Sequence, residues 1–587
     1  MNRPYFRVLA VNLSTGRSTL HRFDGRIEAI GGSGLAALLF EHFGRIDLEW
    51  DEEQQPFILA IGPLTGAFPL MSKTVAAFKS PYHNQYTESH AGGRSALALK
   101  FADLDGLVIT GRAGNLSSLE IGSRSIVIKD VSFMQGMDAY ASGKLLRRMS
   151  KRGSGHRSIL RIGPSGEIGS AMACINADTY RHFGRLGGGA VLGNKNLKGI
   201  IIQGDGSFEL PDNSEYKKLF ARVYEQVTGT RMMHKYHSLG TPANLQVLDD
   251  IKSLPWRNLQ QTSDPEGIKG VNGQRFADDA LLRNGACSGC PVGCIHIGYV
   301  REKFSEDNRY IYRQVAYDYE PVFSCGTMLG VTNTFDVLNI MDVMEKVSLD
   351  SMSGGVALAW ATEASARGLI SEKETIVKLA FGDAEGYRQA ARYLGTGTNE
   401  FYRLLGQGTL KAAEVYGGAE FGCVLGQEMA GYATGELFFA AQSLGFRHSH
   451  LDTGGYSYDQ KHEEKDVDKA VDFLMADEPG RCLLTSMVSC LFARSVYSEE
   501  VLGECLHTLG YGEVTDKLAA AGERIRAHRW QLRFATGFKP EDIVLPKRFY
   551  KVTTWKGPVD GDYLDALRRE YGRRLTGLVK EGVDSET

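Results

Sequence analysis

The segment Cys287-Ser288-Gly289-Cys290-Pro291-Val292-Gly293-Cys294 places three thiols in a C-x2-C-x3-C spacing, in a tight loop built from two glycines and a proline. Far downstream, Ser489-Cys490-Leu491-Phe492-Ala493 offers a fourth. Four thiolates are what a [4Fe–4S] cluster takes, and a soft sulfur set suits iron–sulfur chemistry. Zinc can also take four cysteines, usually as two short knuckles in one small domain. Here the segment leading to Cys490 adds only Cys482, eight residues before it, with no knuckle. Nine cysteines in 587 residues, a sparse and odd number, argue against a disulfide framework. Spacing alone leaves cluster, zinc and free thiols open, with electron handling the leading reading. Cys174, Cys423 and Cys505 sit among apolar or small neighbours and are expected as buried core thiols.

The elements that must position these thiols carry an unusual amount of glycine, 69 residues, well above the ~7% of ordinary proteins. Clusters stand at Gly31-Gly32-Ser33-Gly34, Gly92-Gly93 and Gly184-Arg185-Leu186-Gly187-Gly188-Gly189, between segments 5–12, 56–61, 106–110 and 199–203 that have strand character. Glycine-rich loops let backbone amides approach a ligand. Three clusters on one β-rich region suggest a surface for a large polar cofactor, beside the plainer reading of tight turns. The third cluster puts an arginine among free amides, with Lys195 and Lys198 downstream, a pattern suited to phosphate. It matches neither a Walker A loop nor a dinucleotide fingerprint.

From about residue 207 the pattern turns helical. Segments 216–226, 335–347, 355–367, 373–382, 384–393, 467–474 and 516–529 show helical apolar spacing, with Thr334, Ser371 and Thr515 as expected caps. The expected fold is α+β: a β-rich cofactor domain at 1–206, a helical domain with the cysteine loop at 207–415, and a helical domain with the fourth cysteine at 416–587. A net charge of −3 supplies no field for nucleic acid or an anionic membrane. The run Arg568-Arg569-Glu570-Tyr571-Gly572-Arg573-Arg574 reads as a solvated helix face. Residues 1–6 lack a signal-peptide core, and no run of about 18 apolar residues occurs, so a cytoplasmic protein without a membrane span is expected.

In order and spacing, these motifs resemble the aldehyde:ferredoxin oxidoreductase family, tungsten or molybdenum enzymes with a bis-pyranopterin cofactor. The resemblance covers nearly the whole chain: Gly31-Gly32-Ser33-Gly34-Leu35-Ala36-Ala37, Gly62-Pro63-Leu64-Thr65-Gly66, Lys79-Ser80-Pro81, Gly92-Gly93, the Arg185 loop, the 287–294 loop and the segment ending at Cys490. It implies two β-sheets carrying two pterin dithiolenes, with helical domains above and a [4Fe–4S] cluster beside one pterin. By position, Cys287, Cys290, Cys294 and Cys490 would ligate the cluster. Lys73 stands where the family often has arginine near the pterin phosphates. Gly92, Gly93, Arg185, Leu186, Gly187 and Gly188 would contact the pterin. The family's two D-x-x-G-L-C/D motifs match Glu345-Lys346-Val347-Ser348-Leu349-Asp350, which would place Glu345, Leu349 and Asp350 at the cofactor, and Thr485-Ser486-Met487-Val488-Ser489-Cys490, which keeps its cysteine and offers Ser489. His90 replaces an asparagine tied to a magnesium ion that bridges the phosphates.

For acid–base work the resemblance implies Glu320, in Tyr319-Glu320-Pro321, and His448, in Arg447-His448-Ser449-His450, with Glu428 in a structural role. A carboxylate and an imidazole above an oxidising metal could take protons while the metal takes electrons. Cys325 is a candidate metal ligand, as in family members that reduce aryl-CoA thioesters; a buried core thiol is the plainer reading. The stretch Arg231-Met232-Met233-His234-Lys235-Tyr236-His237 reads as a surface helix before it reads as a set of proton donors. The implied activity is oxidation of an aldehyde to its acid, with ferredoxin taking the electrons, in an anaerobic cytoplasm. Alternatives are an aryl-CoA reducing subunit or a non-catalytic electron-transfer subunit. A homodimer or a larger complex is expected.

Overall fold

The computed structural model describes residues 3–150, 156–303 and 309–584; Met1 and Asn2 of the amino-terminal segment lie outside them. Strands β1 (Phe6–Asn12), β2 (Arg17–Phe23), β3 (Phe57–Ala60), β4 (Thr74–Lys79), β5 (Tyr86–Ala91) and β6 (Gly106–Thr110) form one sheet in the order β2-β1-β6-β3-β4-β5. Strands β7 (Ser117–Gly122), β8 (Ile126–Asp130), β9 (His156–Arg161), β10 (Ile175–Ala177), β11 (Arg181–Phe183) and β12 (Leu197–Gly204) form a second, in the order β11-β10-β9-β12-β7-β8. Each sheet has one parallel pair, β1 with β6 and β7 with β12. The expected strands therefore appear as β1, β3, β6 and β12. Residues of both sheets, among them Leu9, Phe57, Ile109, Leu160 and Ile200, share one buried core. The strands β6 and β12 are apolar on both faces because both faces are covered.

The remainder is mostly helical, with one feature that periodicity did not suggest. Strands β13 (Leu281–Gly285), β14 (Ile295–Lys303) and β15 (Tyr310–Tyr317) make a small antiparallel sheet, and the cysteine loop is the β13–β14 connection. Three local expectations are corrected. Asn333 caps the helix Thr334–Val347, its side chain accepting from the Phe335 and Asp336 amides; asparagine outranks threonine as a cap. Thr515 ends a short turn, and the following helix runs Leu518–Ala535. Segment 373–382 is not a helix: the turn Glu372–Thr375, closed by a capping box between Ser371 and Glu374, stops at Ile376, whose φ is 66°.

Helix Ser351–Ala366 is mostly apolar and is buried from Ser353 to Ala364. Its Gly355 meets the helix Tyr319–Cys325 so closely that a Cβ there would lie 2.3 Å from the Ser324 carbonyl oxygen. That contact fixes the helix carrying Glu320. On helix Gly561–Asp584, Arg573 and Arg574 both pair with Glu570 at 2.6 Å, as expected of a solvated face. Among the described residues no helix is long and apolar enough to cross a membrane.

A buried ion pair ties the first sheet to the carboxy-terminal helices. Arg529 grips both oxygens of Glu88 at 2.7 and 3.1 Å and donates to Cys482 Sγ at 2.9 Å. Burial opposes ionisation of Glu88, but Arg529 and His90 more than offset it and hold the carboxyl well below its usual range. Removing one partner of such a pair strands the other charge. Arg529→Met should therefore lower stability by about 3–5 kcal/mol, read as a shift in the denaturant midpoint.

Candidate active site

Two backbone crossings bring the helical part onto the sheets. Met71, before β4, pairs with Ser489; Ala173, before β10, pairs with Leu349. At the first, the Cys490 amide donates to the Leu70 carbonyl at 3.0 Å and the Lys73 amide to the Val488 carbonyl at 3.1 Å. At the second, the Asp350 amide donates to Met172 and the Cys174 amide to Ser348, each at 2.9 Å. Val488 and Ser348 occupy the glycine position of the two related motifs, and both hold left-handed backbone, φ 58° and 57°. The second motif, which keeps little of the pattern in sequence, thus keeps its backbone shape.

The first crossing also draws in the cysteine loop. The Leu70 amide donates to the Gly289 carbonyl, and the Ser288 amide to Gly93. Cys287, Cys290, Cys294 and Cys490 consequently line one cavity of about 610 Å³. Burial pushes Cys290 up to about 12 and Cys294 up to about 11, with neighbouring thiols of the set adding to the shift. Burial also acts on Cys287, but Arg181 and Lys73 outweigh it and lower that thiol below its ordinary value. Cys482 takes no part: it is buried against Arg529. Cys423 and Cys505 are core thiols as expected, whereas Cys174, also buried, forms part of the cavity wall.

Lys73, His90, Arg185, Leu186, Glu345, Leu349, Asp350 and Ser489 line the same cavity. Arg185 is held by Asp350 at 3.3 Å, Ser353 at 3.2 Å and the Glu428 carbonyl at 2.6 Å, while its buried Nη1 has no partner. Glu345 is held by His182 at 2.6 Å and Asn176 at 2.9 Å. Gly187 and Gly188 pack beneath the loop against Pro81 and Phe78 and do not line the cavity. Gly92 and Gly93 back the cysteine loop: a Cβ on Gly92 would lie 2.6 Å from Cys287 Sγ.

Of the expected acid–base pair, one member lines the cavity and the other does not. Glu320 lines the cavity, its Oε2 accepting from the Gly431 amide at 3.0 Å and its Oε1 lying 3.4 Å from Nδ1 of His450. His448 does not line it. Its φ of 49° reverses the chain, and Arg533 donates to its Nε2 at 2.6 Å, deep in the protein. The residue that faces Glu320 is His450, two positions on; Ser449-His450 repeats His448 at a spacing that a turn can exchange. Burial raises Glu320 to about 8. Burial and Arg185 lower His450 to about 3. Cys325 is also turned away: it is buried with Sγ 3.6 Å from the Met344 sulfur, and Met344 forms the wall in its place. The stretch 231–237 is a surface helix, but its Tyr236 reaches the cavity and stacks on Phe492 at 3.9 Å.

The residues fit a cluster and an anionic cofactor. The four thiols line one cavity, and among the described residues no three His, Cys, Asp or Glu side chains are placed to hold a single ion. The buried Arg185 Nη1, Arg181 Nε and Glu320 Oε1 have no hydrogen-bond partner, a cost that a bound polar group would relieve. Magnesium at His90 does not fit. Nε2 donates to Glu88 at 3.0 Å and Nδ1 accepts from Arg447 at 3.2 Å, so no lone pair is left for an ion that prefers oxygen. A wider groove of about 900 Å³, lined by residues such as Glu215, Arg222 and Glu504, contains none of these motifs.

The family model described as aldehyde ferredoxin oxidoreductase, N-terminal domain, matches residues 8–204, and the one described as aldehyde ferredoxin oxidoreductase, domains 2 & 3, matches 218–587. The chain is 27% identical, over 615 aligned positions, to the tungsten-containing aldehyde ferredoxin oxidoreductase of Pyrococcus furiosus, covering 98% of this chain and 96% of that one. It is 29% identical over 406 positions to the aliphatic sulfonate oxidoreductase, WOR-like subunit, of the same organism, covering 65% and 62%. Among solved structures, a chain of the active-site complex BamBC of benzoyl coenzyme A reductase, in complex with 1,5-dienoyl-CoA, superposes with a TM-score of 0.79 at 18% identity, covering 97% and 95%. That likeness concerns the fold.

The space behind Cys287 gives a direct test. Gly92→Ala should displace that thiol and weaken iron retention by about 10–100-fold, measured as loss of iron to a chelator under anaerobic conditions.

Proposed function

The chain belongs to the aldehyde ferredoxin oxidoreductase family, and on that footing we propose that it is a tungsten- or molybdenum-pterin, [4Fe–4S] oxidoreductase that converts aldehydes to carboxylic acids. The electrons pass to ferredoxin or to a partner iron–sulfur subunit, in an anaerobic cytoplasm, and the protein works as a homodimer or within a larger complex. The helical part divides near residue 415. One observation carries the reading: a single cavity is lined by four cysteines and by a half-buried carboxyl–imidazole pair. Cys287, Cys290, Cys294 and Cys490 would hold the cluster, and Lys73, Arg185 and Ser489 the pterin groups. The aryl-CoA reading expects Cys325 at the metal; its burial against Met344 favours oxidation.

When bound, the pterin metal supplies a two-electron acceptor and the cluster a one-electron relay. The overall change takes aldehyde and water to acid, two electrons and two protons. Glu320 is placed to take one proton, since its Oε1 is unpartnered and its pKa of about 8 lies near working pH. His450, neutral above pH 3 and beside that oxygen, is placed to orient the water by hydrogen bonding, and the other proton leaves to solvent. Gly431 keeps the carboxyl in position from behind. Tyr319, Tyr432 and Tyr456 wall this end of the cavity and exclude bulk water.

Glu320 is protonated below its pKa, so base-assisted turnover should rise as pH increases through about 8. Glu320→Gln should remove that limb and lower kcat by about 10²–10⁴-fold, with iron and tungsten or molybdenum contents unchanged, in an aldehyde assay with a viologen acceptor. Unchanged kcat would refute the assignment. His450→Gln should also lower kcat, whereas His448→Gln should act on the melting midpoint.

A further inference from the structure

Arg181 has no part in the chemistry described above, yet it sits against the cysteine set. It opens the short strand β11, paired with Ala177 of β10. From there its Nη2 donates to Cys294 Sγ at 3.7 Å. Its stem lies behind Gly93, whose added Cβ would come within 3.8 Å of Arg181 Cβ, and Gly93 is bonded to Ser288 of the cysteine loop. Its Nε is buried without a hydrogen-bond partner. The guanidinium thus lies on the cavity wall with two thiols of the set, Cys287 and Cys294, and the half-buried Asp318 as its charge partners.

A half-buried cation in that place has a redox consequence. One-electron reduction of an iron–sulfur cluster adds a negative charge, and a nearby positive charge or a hydrogen bond to a ligand sulfur stabilises the reduced form. Lys73 adds a second positive charge on the Gly92 side: an added Cβ on Gly92 would lie 3.7 Å from Lys73 Nζ. Only Arg181 makes a directed bond to a cysteine of the set among these two. We propose that Arg181 is a tuning residue that raises the reduction potential of the cluster, so that electrons leaving the substrate site move onto it. The proposal rests on the four-cysteine cluster reading above.

The test is a potentiometric titration of anaerobically purified holoenzyme, followed by electron paramagnetic resonance of the reduced cluster. In Arg181→Gln the reduced-to-oxidised ratio at a fixed potential should fall at least about tenfold, a midpoint lower by about 59 mV for one electron. Arg181→Lys, which keeps the charge, should shift less. A midpoint for Arg181→Gln equal to that of the wild type, with iron content and spectrum retained, would overturn the proposal. If Arg181→Gln loses iron, Arg181→His replaces it: its midpoint should fall as pH rises and the imidazole loses its charge, and a flat midpoint would overturn the proposal. A wild type with no iron–sulfur signal would instead overturn the cluster reading, and the proposal with it.

Discussion

The crossings of Met71 with Ser489 and of Ala173 with Leu349 are what the rest of the site depends on. Each docks a turn at the end of a helix, Thr334–Val347 or Val467–Ser486, onto a loop of one β-sheet. Each turn needs left-handed backbone, and the chain accepts Ser348 and Val488 there despite their side chains. For a β-branched valine this conformation is costly, so the surrounding hydrogen bonds must impose it. What they secure is position. Cys490 reaches the cysteine loop because its amide is bonded to Leu70, which is itself bonded to Gly289. Asp350 reaches Arg185 through the equivalent turn.

Enclosure then sets the chemistry. The same burial that raises Glu320 to about 8 lowers His450 to about 3, leaving two neutral groups side by side. A neutral acid of that pKa can exchange a proton near working pH; an ordinary exposed glutamate would be ionised throughout. In the same cavity burial raises Cys290 and Cys294, and the cations Arg181 and Lys73 counter it at Cys287. Metal binding would complete the deprotonation of all four thiols. Both sets of groups line one cavity, and Arg185, held by the Asp350 carboxylate, the Ser353 hydroxyl and the Glu428 backbone carbonyl, keeps its Nη1 without a hydrogen-bond partner.

Much of this was legible where chemistry requires particular residue types at short range. The cysteine loop, the Arg185 loop and the strands β1, β3, β6 and β12 all follow from local pattern. The small sheet β13–β15 did not, because its strands mix exposed tyrosines with polar residues and lack clean alternation. His448 and His450 could not be separated: the left-handed turn at His448 that aims one ring at Arg533 and the other at Glu320 is imposed by packing. Arg181 carried no signal in the sequence, since its contact with Cys294 spans 113 positions. Cys325 is a candidate metal ligand only through the resemblance, and the helix Tyr319–Cys325 carries it into the core against Met344.

The central claim is that the crossings assemble four distant cysteines into one cluster site beside a pterin-metal centre. Elemental analysis of anaerobically purified protein tests it most directly, with iron, tungsten, molybdenum and zinc measured together. The account predicts about four irons and one tungsten or molybdenum per chain. Zinc bound in place of iron would contradict it.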